Sequence, residues 1–261
     1  MDLHDRVVLI TGASSGIGAA CAREFHQHGA RLSLLARTED KLRAVSAETG
    51  AIYTAGDVTC TQDRARAVEA TLHRWGRIDI LVNNAGIGMY VPAWRADMRE
   101  VRRLWELNLF SVLEMIQLTV PHFQKQRDGM IVNVSSIAGK VSLPWFTNYA
   151  ASKFALCALT DSLRIELARW NIRCVTVCPG YVKTAFPENA LAGRPPERLW
   201  RMRRFSITAE QCAKAIARGI QRESRTIVTP AAGRLLILAY SLAPSAVDYF
   251  LARIYRGLDL Q

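Results

Sequence analysis

Short apolar runs alternate along this chain with longer stretches of helical periodicity. Runs with so little polar alternation are typical of parallel strands that helices cover on both faces. Strands that alternate with helices of about ten or more residues indicate βαβ units. The sequence therefore predicts an α/β fold, a doubly wound parallel sheet flanked by helices. The predicted strands are Val7–Thr11, Arg31–Ala36, Ile52–Ala55, Ile78–Val82, Met130–Val134 and Arg173–Val177, and the predicted helices cover 17–28, 39–49, 61–75, 99–126 and 150–169.

The pattern changes after Pro179. Residues 185–207 hold three prolines and five arginines, and we expect them to form an irregular substrate loop. No linker rich in Pro, Gly or Ser and no internal repeat divides the chain, so we predict a single domain over 1–230 and a C-terminal helical extension over 231–261. The elements predicted after the loop are a helix over Ala209–Arg222, a strand over Thr226–Val228, and two apolar helical pieces, Gly233–Leu242 and Ala246–Tyr255, broken at Pro244.

A glycine-rich turn follows the first predicted strand. The segment reads T-G-A-S-S-G-I-G over residues 11–18, and a helix opens there. Glycines permit a tight turn and let the backbone approach a pyrophosphate, which the helix N-terminus then faces. The spacing is G-x-x-x-G-x-G rather than the more familiar G-x-G-x-x-G. We predict a dinucleotide site, with contacts from Gly12, Ser14, Ser15, Gly16, Ile17 and Gly18.

The end of the second predicted strand indicates which dinucleotide binds. An acidic side chain there would bind the ribose 2′-hydroxyl of NAD, whereas an arginine accommodates the 2′-phosphate of NADP. This chain has Arg37 and no acid at that point. Because the planar fork of arginine matches a phosphate, NADP(H) is favoured over NAD(H), although an ordinary surface role for Arg37 stays open. Asp57 and Val58, after the third strand, are placed to meet the adenine ring.

Tyr149 and Lys153 lie four residues apart in a predicted helix. Side chains at this spacing project from the same face, so the ammonium group lies beside the phenol. A neighbouring cation favours the phenolate and lowers the pKa of a tyrosine, which makes the hydroxyl usable as a proton donor and acceptor near neutrality. A tyrosine and a lysine at this spacing are common in helices. They indicate a catalytic pair here because a glycine-rich nucleotide turn precedes them.

Together these motifs resemble the short-chain dehydrogenase/reductase family over roughly residues 5–190. The resemblance implies a Rossmann-like fold and oxidoreductase chemistry with a nicotinamide cofactor. The motifs that carry it occur in order along the chain: 11–18, Asn83-Asn84-Ala85-Gly86, Asn108, Ser136, Tyr149-x-x-x-Lys153 and Pro179-Gly180.

The resemblance also implies a role for each matching residue. Tyr149 would be the general acid in reduction and the base in oxidation, and Lys153 would hold the nicotinamide ribose and lower the pKa of Tyr149. Ser136 would bind the substrate carbonyl, with Ser135 as the alternative, and Asn108 would position a water that links Lys153 to solvent. Cofactor contacts would come from Asn84, Ala85, Gly86, Pro179, Gly180, Val182 and Thr184, with Asn83 chiefly structural.

Aromatic and apolar residues dominate the segments expected to line a substrate pocket. Such a lining favours a lipophilic carbonyl or alcohol, such as a sterol, retinoid or acyl-lipid derivative. The alternative is that several of these residues pack in the core or in a dimer face. The residues are Met89, Tyr90, Trp94, Leu143, Trp145, Phe146, Phe186, Leu199, Trp200, Met202 and Phe205.

The last quarter of the chain is strongly basic. The net charge is +11, and residues 194–261 contribute 12 basic and 5 acidic side chains. This asymmetry indicates either an anionic partner or a merely solubilising surface. The apolar tail with its flanking arginines indicates peripheral contact with a membrane surface, or packing against the domain or a second subunit.

Other classes of protein fit the sequence less well. The N-terminus has no apolar segment typical of a signal peptide, and no apolar run is long enough for a transmembrane helix, so we expect a cytoplasmic setting. The six cysteines and five histidines are scattered, which predicts neither a disulfide framework nor a metal site. The only indication of nucleic-acid binding is the excess of basic residues, and the sequence contains no recognisable nucleic-acid-binding motif.

The sequence thus predicts an NADP(H)-dependent oxidoreductase that acts on a carbonyl or secondary alcohol of a lipophilic substrate. The alternatives are a reductase of small polar carbonyls, a regulatory protein with vestigial chemistry, and an epimerase-like relative, for which the chain after Pro179 leaves little room. The family resemblance implies a homo-oligomer that pairs through the helices predicted at 99–126 and 150–169.

Overall fold

The computed structural model describes residues 1–193 and 206–255. Within these residues the chain builds a parallel sheet of seven strands in the order β3-β2-β1-β4-β5-β6-β9, and a separate pair, β7 with β8. The strands are β1 (Val7–Thr11), β2 (Arg31–Ala36), β3 (Ile52–Ala55), β4 (Ile80–Asn83), β5 (Gly129–Val134), β6 (Ile172–Pro179), β7 (Val182–Lys183), β8 (Ile207–Thr208) and β9 (Thr226–Thr229).

Helices connect successive strands and cover both faces of the sheet. In the described part of the chain they are α1 (Gly16–Gln27), α2 (Glu39–Thr49), α3 (Thr61–Trp75), α4 (Met98–Trp105), α5 (Ser111–Gln126), α6 (Thr147–Glu166), α7 (Ala209–Gln221), α8 (Gly233–Leu242) and α9 (Pro244–Tyr255).

The strand order reverses direction at β1. This strand pairs in parallel with β2 on one side and with β4 on the other, where Ile10 lies opposite both Leu34 and Val82. In doubly wound sheets a ligand crevice opens at such a reversal, beyond the carboxyl ends of the strands. The predicted α/β fold is therefore confirmed, and it brings the ends of β1, β2, β4, β5 and β6 to one edge of the sheet.

Two apolar layers fill the space between the sheet and its helices. On one face, α1, α2 and α7 pack on the sheet through side chains such as Phe25, Leu42 and Ile216. On the other face, α3, α5 and α6 contribute side chains such as Val68 and Met115. The central strands β1, β4 and β5 are buried on both faces, and this explains why their sequences read as apolar runs.

The helix predicted over 99–126 is present, but it contains an interruption that the sequence did not predict. Residues 99–126 form α4 and α5, separated by a π-helical turn over Glu106–Phe110. Asn108 lies in this turn, and its amide makes two hydrogen bonds to the backbone of Ile87, as acceptor from the N–H (2.9 Å) and donor to the carbonyl (3.0 Å). Turns of this kind occur as single interruptions of α-helices, often at functional sites.

The C-terminal extension consists of α8 and α9, which meet at a bend of 115°. Pro244 begins α9, where its fixed φ suits a first helical turn and its missing N–H costs nothing. No helix in the described part of the chain is both long and apolar enough to cross a bilayer by itself. The bent pair reaches the required length and apolar character only when both helices are taken together.

Candidate active site

A cleft of about 450 Å³ opens at the carboxyl edge of the sheet. It extends from the ends of β1 and β2, past β4, to the ends of β5 and β6 and the segment after Pro179. The predicted site residues that line it are Gly12, Ser14, Ser15, Gly16, Ile17, Arg37, Asp57, Val58, Asn84, Ala85, Gly86, Ser136, Tyr149, Lys153, Pro179, Gly180, Val182 and Thr184.

Gly18 is the predicted cofactor contact that the structure places elsewhere. It is buried beneath the turn, where a Cβ would overlap the carbonyl oxygen of Gly12 and the amide of Asn84. That amide donates to the carbonyls of Thr11 (3.0 Å) and Gly12 (3.1 Å), and it thereby ties the turn to the end of β4. Gly18 therefore serves the close packing of α1 against the turn, and its contact with a cofactor stays a prediction.

The N-terminus of α1 fits an anionic ligand. Its N-cap residue, Ser15, makes no side-chain hydrogen bond to the first turn, and that turn contains no acidic side chain. The first backbone N–H groups of a helix lack partners within the helix, and the helix dipole adds positive potential at the same point. Since this end faces the cleft beside Gly12 and Gly16, it suits the pyrophosphate of a dinucleotide.

Basic side chains surround the other end of the cleft. Arg37 has 66% of its side chain exposed, and its Nη1 lies 3.8 Å from Oδ2 of Asp57. The Asp57 Oδ1 accepts hydrogen bonds from the backbone N–H (2.9 Å) and the hydroxyl (2.8 Å) of Thr59. Lys41 also lines the cleft, four residues after Arg37 in the first turns of α2. Lys41 was not predicted from the sequence, although a second basic side chain so soon after Arg37 could have indicated it.

Tyr149 lies in the first turn of α6 among aromatic rings. The Phe186 ring centroid is 5.7 Å from that of Tyr149, and the Phe146 centroid is 6.3 Å away. Burial raises the pKa of Tyr149 to about 12, and a hydrogen bond with Ser136 acts in the opposite direction. The expected lowering of this pKa is absent, because the loss of hydration at the phenol dominates.

Lys153 lies one turn further along α6 and is also buried. Its Nζ donates to the carbonyl of Val134 at 2.9 Å and lies 5.9 Å from the centroid of the Tyr149 ring. Burial lowers the pKa of Lys153 to about 8. The ammonium group is therefore near the phenol, as the spacing predicted, but it too is poorly hydrated.

Asn108 is linked by hydrogen bonds to the start of α6. Besides its bonds to Ile87, its Nδ2 donates to the Ser152 hydroxyl at 3.1 Å, and that hydroxyl donates to the Tyr149 carbonyl at 2.7 Å. Asn108 does not line the cleft, and its amide is occupied by these partners. In this structure its side chain therefore positions the helix that carries Tyr149.

The two adjacent serines have different surroundings. Ser135 is buried, and its hydroxyl donates to the carbonyl of Lys153 (3.0 Å) and lies 3.2 Å from the Sγ of Cys157. Ser136 is less buried; its hydroxyl accepts from the Ala138 N–H (3.0 Å) and is 3.4 Å from the Pro179 carbonyl. Since the Ser135 hydroxyl is engaged inside the protein and Ser136 acts on the pKa of Tyr149, these surroundings favour Ser136 over Ser135 as the carbonyl-binding residue.

The residues expected to line a substrate pocket divide into three groups. Tyr90 and Phe186 line the cleft. Four further residues of the set pack around them: Met89 and Phe146, which are buried, and Leu143 and Trp145, which are partly buried. Trp94 is 77% exposed and lies outside it, so its expected position in the lining was wrong. Leu199, Trp200, Met202 and Phe205 lie outside the described residues, as do the arginines of 194–205.

A model of the short-chain dehydrogenase family matches residues 6–194, which is most of the chain. The chain belongs to this family. The glycine-rich turn, Ser136, Tyr149 and Lys153 all fall within the matched segment, so the protein is an oxidoreductase of the short-chain dehydrogenase/reductase type.

Curated relatives match this short-chain dehydrogenase over nearly its whole length. Dehydrogenase/reductase SDR family member 7B of Xenopus tropicalis is 32% identical over 267 residues, covering 96% of this chain and 85% of the relative. A protein of Arabidopsis thaliana named 11-beta-hydroxysteroid dehydrogenase-like 2 is also 32% identical, with 96% of this chain and 82% of the relative covered.

Solved structures share the fold. A short-chain dehydrogenase/reductase from Burkholderia phymatum in complex with NAD superposes with a TM-score of 0.86 at 24% identity, covering 94% of this chain and 96% of the other; at this identity the likeness concerns the fold alone. A short-chain dehydrogenase from Burkholderia cenocepacia in complex with NADP gives a TM-score of 0.81 at 25% identity, covering 96% and 99%. Both nicotinamide dinucleotides thus occur among similar structures.

Proposed function

We propose that this protein reduces a carbonyl group of a lipophilic compound with NADPH, or oxidises the corresponding secondary alcohol with NADP⁺. The observation that carries the proposal is the convergence of the Ser136 and Tyr149 hydroxyls with Lys153 in a cleft that the glycine-rich turn also lines. Two hydroxyl donors and a cation in a poorly hydrated site can stabilise negative charge that develops on a carbonyl oxygen.

The surroundings of Tyr149 suit proton donation. A phenol whose pKa is about 12 keeps its proton at neutral pH, and this is the form that a general acid requires in carbonyl reduction. Ser136 holds the carbonyl oxygen beside Tyr149, and the Lys153 ammonium stabilises the phenolate that remains after the proton has left. The bound nicotinamide supplies the hydride; the chain supplies alignment and the proton.

The charge at the Arg37 end of the cleft supports NADP(H). Arg37 and Lys41 line this end against one carboxylate, Asp57, which already accepts two hydrogen bonds from Thr59. A 2′-phosphate would meet the guanidinium of Arg37 and the ammonium of Lys41, whereas the ribose hydroxyl of NAD would find no acid at the end of β2.

The aromatic surroundings of Tyr149 support a lipophilic substrate. Phe186 meets the phenol ring edge to face, and Tyr90 also lines the cleft. The rings of Tyr90 and Phe146 are perpendicular, with centroids 4.8 Å apart. Apolar walls with a few placed hydroxyls favour ligands that are largely hydrocarbon. The name of the Arabidopsis relative, a steroid dehydrogenase-like protein, is in line with this substrate class.

Replacement of Tyr149 tests the chemistry. We expect Tyr149→Phe to lower turnover by a factor on the order of 10² to 10⁴, because the proton donor is lost, and to leave NADPH binding within about threefold of the wild type. Turnover is followed as NADPH consumption at 340 nm with carbonyl compounds that range from small polar ketones to polycyclic ones. Tyr53→Phe, in β3 and away from the cleft, is the matched control.

The panel also separates the alternatives. Turnover that is confined to small polar ketones would overturn the lipophilic assignment. A wild-type chain that binds NADPH, but neither consumes it with any carbonyl compound nor forms it from NADP⁺ with any alcohol, would instead indicate a regulatory protein.

Replacement of Arg37 tests the cofactor. We expect Arg37→Ala to raise KM for NADPH by a factor on the order of 10 to 100 while KM for NADH changes little, since a charge-assisted hydrogen bond contributes about 1.5–3 kcal/mol. Lys41→Ala should act in the same direction with a smaller effect. Arg43→Ala is the control, because Arg43 is likewise an exposed arginine but lies in α2 and pairs with Glu39 outside the cleft. Equal losses for both cofactors would contradict the assignment.

A further inference from the structure

The two C-terminal helices expose more large apolar side chains than any other segment of the described chain. On α8, Leu235 is 71% exposed and Leu242 is 76% exposed, with Leu238 at 54% between them. On α9, Phe250 is 64% exposed. Among the residues of both helices whose burial is described, Gly233 alone is buried. Large apolar patches of this kind on a monomer mark an interaction surface.

The dimensions of the pair fit one leaflet of a bilayer. At 1.5 Å per residue, α8 is about 15 Å long and α9 about 18 Å long, and each is therefore roughly half of the ~30 Å hydrocarbon thickness. With a bend of 115° between them, the helices do not form one straight span. Apolar helices of this length are typical of interfacial or re-entrant segments.

The charges of the segment fit a lipid surface. Between Arg234 and Arg253 the sequence holds one charged residue, Asp248, and both arginines are exposed. Helical geometry places Asp248 and Phe250 on opposite sides of α9, so the carboxylate faces water when the ring enters the lipid. Arginine side chains at the ends of an apolar stretch extend to the head groups and attract anionic lipid.

A second copy of the chain fits this surface less well. A helix that pairs with another protein helix buries one stripe and keeps its other faces polar. On α8 the exposed leucines at 235, 236, 238 and 242 cover a broad arc instead, and Ser241 is the polar side chain after Arg234 that could face water at the end of the helix. A fluid lipid phase can cover such an arc without a complementary partner surface.

The pair begins at the wall of the cleft. A Cβ at Gly233, the first residue of α8, would overlap the Cδ1 of Ile137, and a Cβ at Gly180 would lie 3.2 Å from the same atom. Gly180 lines the cleft, and Ile137 directly follows Ser136. A surface that binds α8 therefore lies close to the cleft.

We propose that α8 and α9 form a monotopic anchor that lies in one leaflet of a membrane with acidic head groups and keeps the cleft at the lipid surface. The delivery of substrate from the membrane rests on the proposed lipophilic function. The binding of lipid does not, and it is tested without substrate.

The test is co-flotation of the full chain with vesicles of phosphatidylcholine, with and without phosphatidylserine. We expect the wild type to float more with the acidic vesicles than with phosphatidylcholine alone, and salt to reduce this difference without abolishing flotation. The triple variant Leu238→Ser, Leu242→Ser, Phe250→Ser should float at least about tenfold less, because each buried apolar side chain contributes about 1.5–3 kcal/mol. Ile165→Ser is the control, since Ile165 is 80% exposed near the far end of α6 and outside the anchor.

Two further measurements keep the outcomes distinct. Circular dichroism and turnover of a water-soluble ketone without vesicles should be the same for the triple variant and the wild type, which shows that the variant folds. Equal flotation of the two proteins, or no flotation of the wild type, would overturn the anchor. A wild-type dimer that the triple substitution converts to a monomer, with no flotation of either, would assign the surface to a second copy.

Discussion

At the scale of single residues, burial shifts the pKa values of Tyr149 and Lys153 in opposite directions. The phenol holds its proton more tightly, with a pKa of about 12, and the ammonium holds its proton less tightly, with a pKa of about 8. Both shifts favour the neutral form, as expected where hydration is lost. The identity and spacing of the two residues were predictable from the sequence, whereas the degree of burial depends on Phe146 and Phe186, which pack against the phenol from other segments.

The lowered pKa of Lys153 makes stability depend on pH. Between about pH 8 and pH 10.5 the unfolded chain binds a proton at this lysine that the folded chain does not. The free energy of unfolding contributed by this residue therefore rises with pH across that window and is constant below it. Relative to a Lys153→Met variant, we expect the wild type to gain on the order of 2 kcal/mol between about pH 7.5 and about pH 10.

Urea unfolding of the two proteins at both pH values measures this difference. Other titrating groups are common to the wild type and the variant, so they cancel in the comparison. A difference that does not change with pH would contradict the lowered pKa of Lys153.

At the scale of elements, the π-helical turn between α4 and α5 is the feature that the sequence did not predict. The periodicity of 99–126 is compatible with one continuous helix, and the interruption depends on a distant partner, the backbone of Ile87. The extra residue in the turn brings the fully buried Asn108 side chain to both Ile87 and Ser152. Bonds between residues that are far apart in sequence leave no mark on local periodicity.

Removal of the Asn108 amide should therefore weaken both the turn and the start of α6. We expect Asn108→Ala to lower the free energy of unfolding by about 1–3 kcal/mol, because buried polar groups lose their partners. It should also lower kcat, since the Ser152 hydroxyl that bonds to the Tyr149 carbonyl loses its donor. Asn148→Ala is the comparison for stability, as its amide makes only a 3.7 Å contact with the sulfur of Met89. Equal losses of stability would argue against the role of Asn108.

At the scale of the whole molecule, the strand–helix alternation was sufficient to predict the doubly wound sheet. Because parallel strands end at one edge, the glycine-rich turn, Arg37, Asp57 and Asn84 were expected to come together, and they line one cleft. The exposure of Trp94 and the packing role of Gly18 were not predictable, because each depends on which other segments approach it.

The predicted homo-oligomer stays a prediction. Phe110 and Phe154, next to and within the helices expected to pair, are 48% and 37% exposed. Apolar side chains in these positions are compatible with an interface, and light scattering of the purified chain would give the number of subunits.

In the proposed reaction a hydride passes from NADPH to a carbonyl carbon in the cleft while Tyr149 supplies the proton. The most direct measurement uses NADPH that carries deuterium at C4 of the nicotinamide, in each of its two stereochemical forms, with a carbonyl compound that the wild type consumes. We expect deuterium on the carbinol carbon of the product from one of the two forms, and loss of this product in Tyr149→Phe. Unlabelled alcohol from both forms, or undiminished labelled product from Tyr149→Phe, would contradict it.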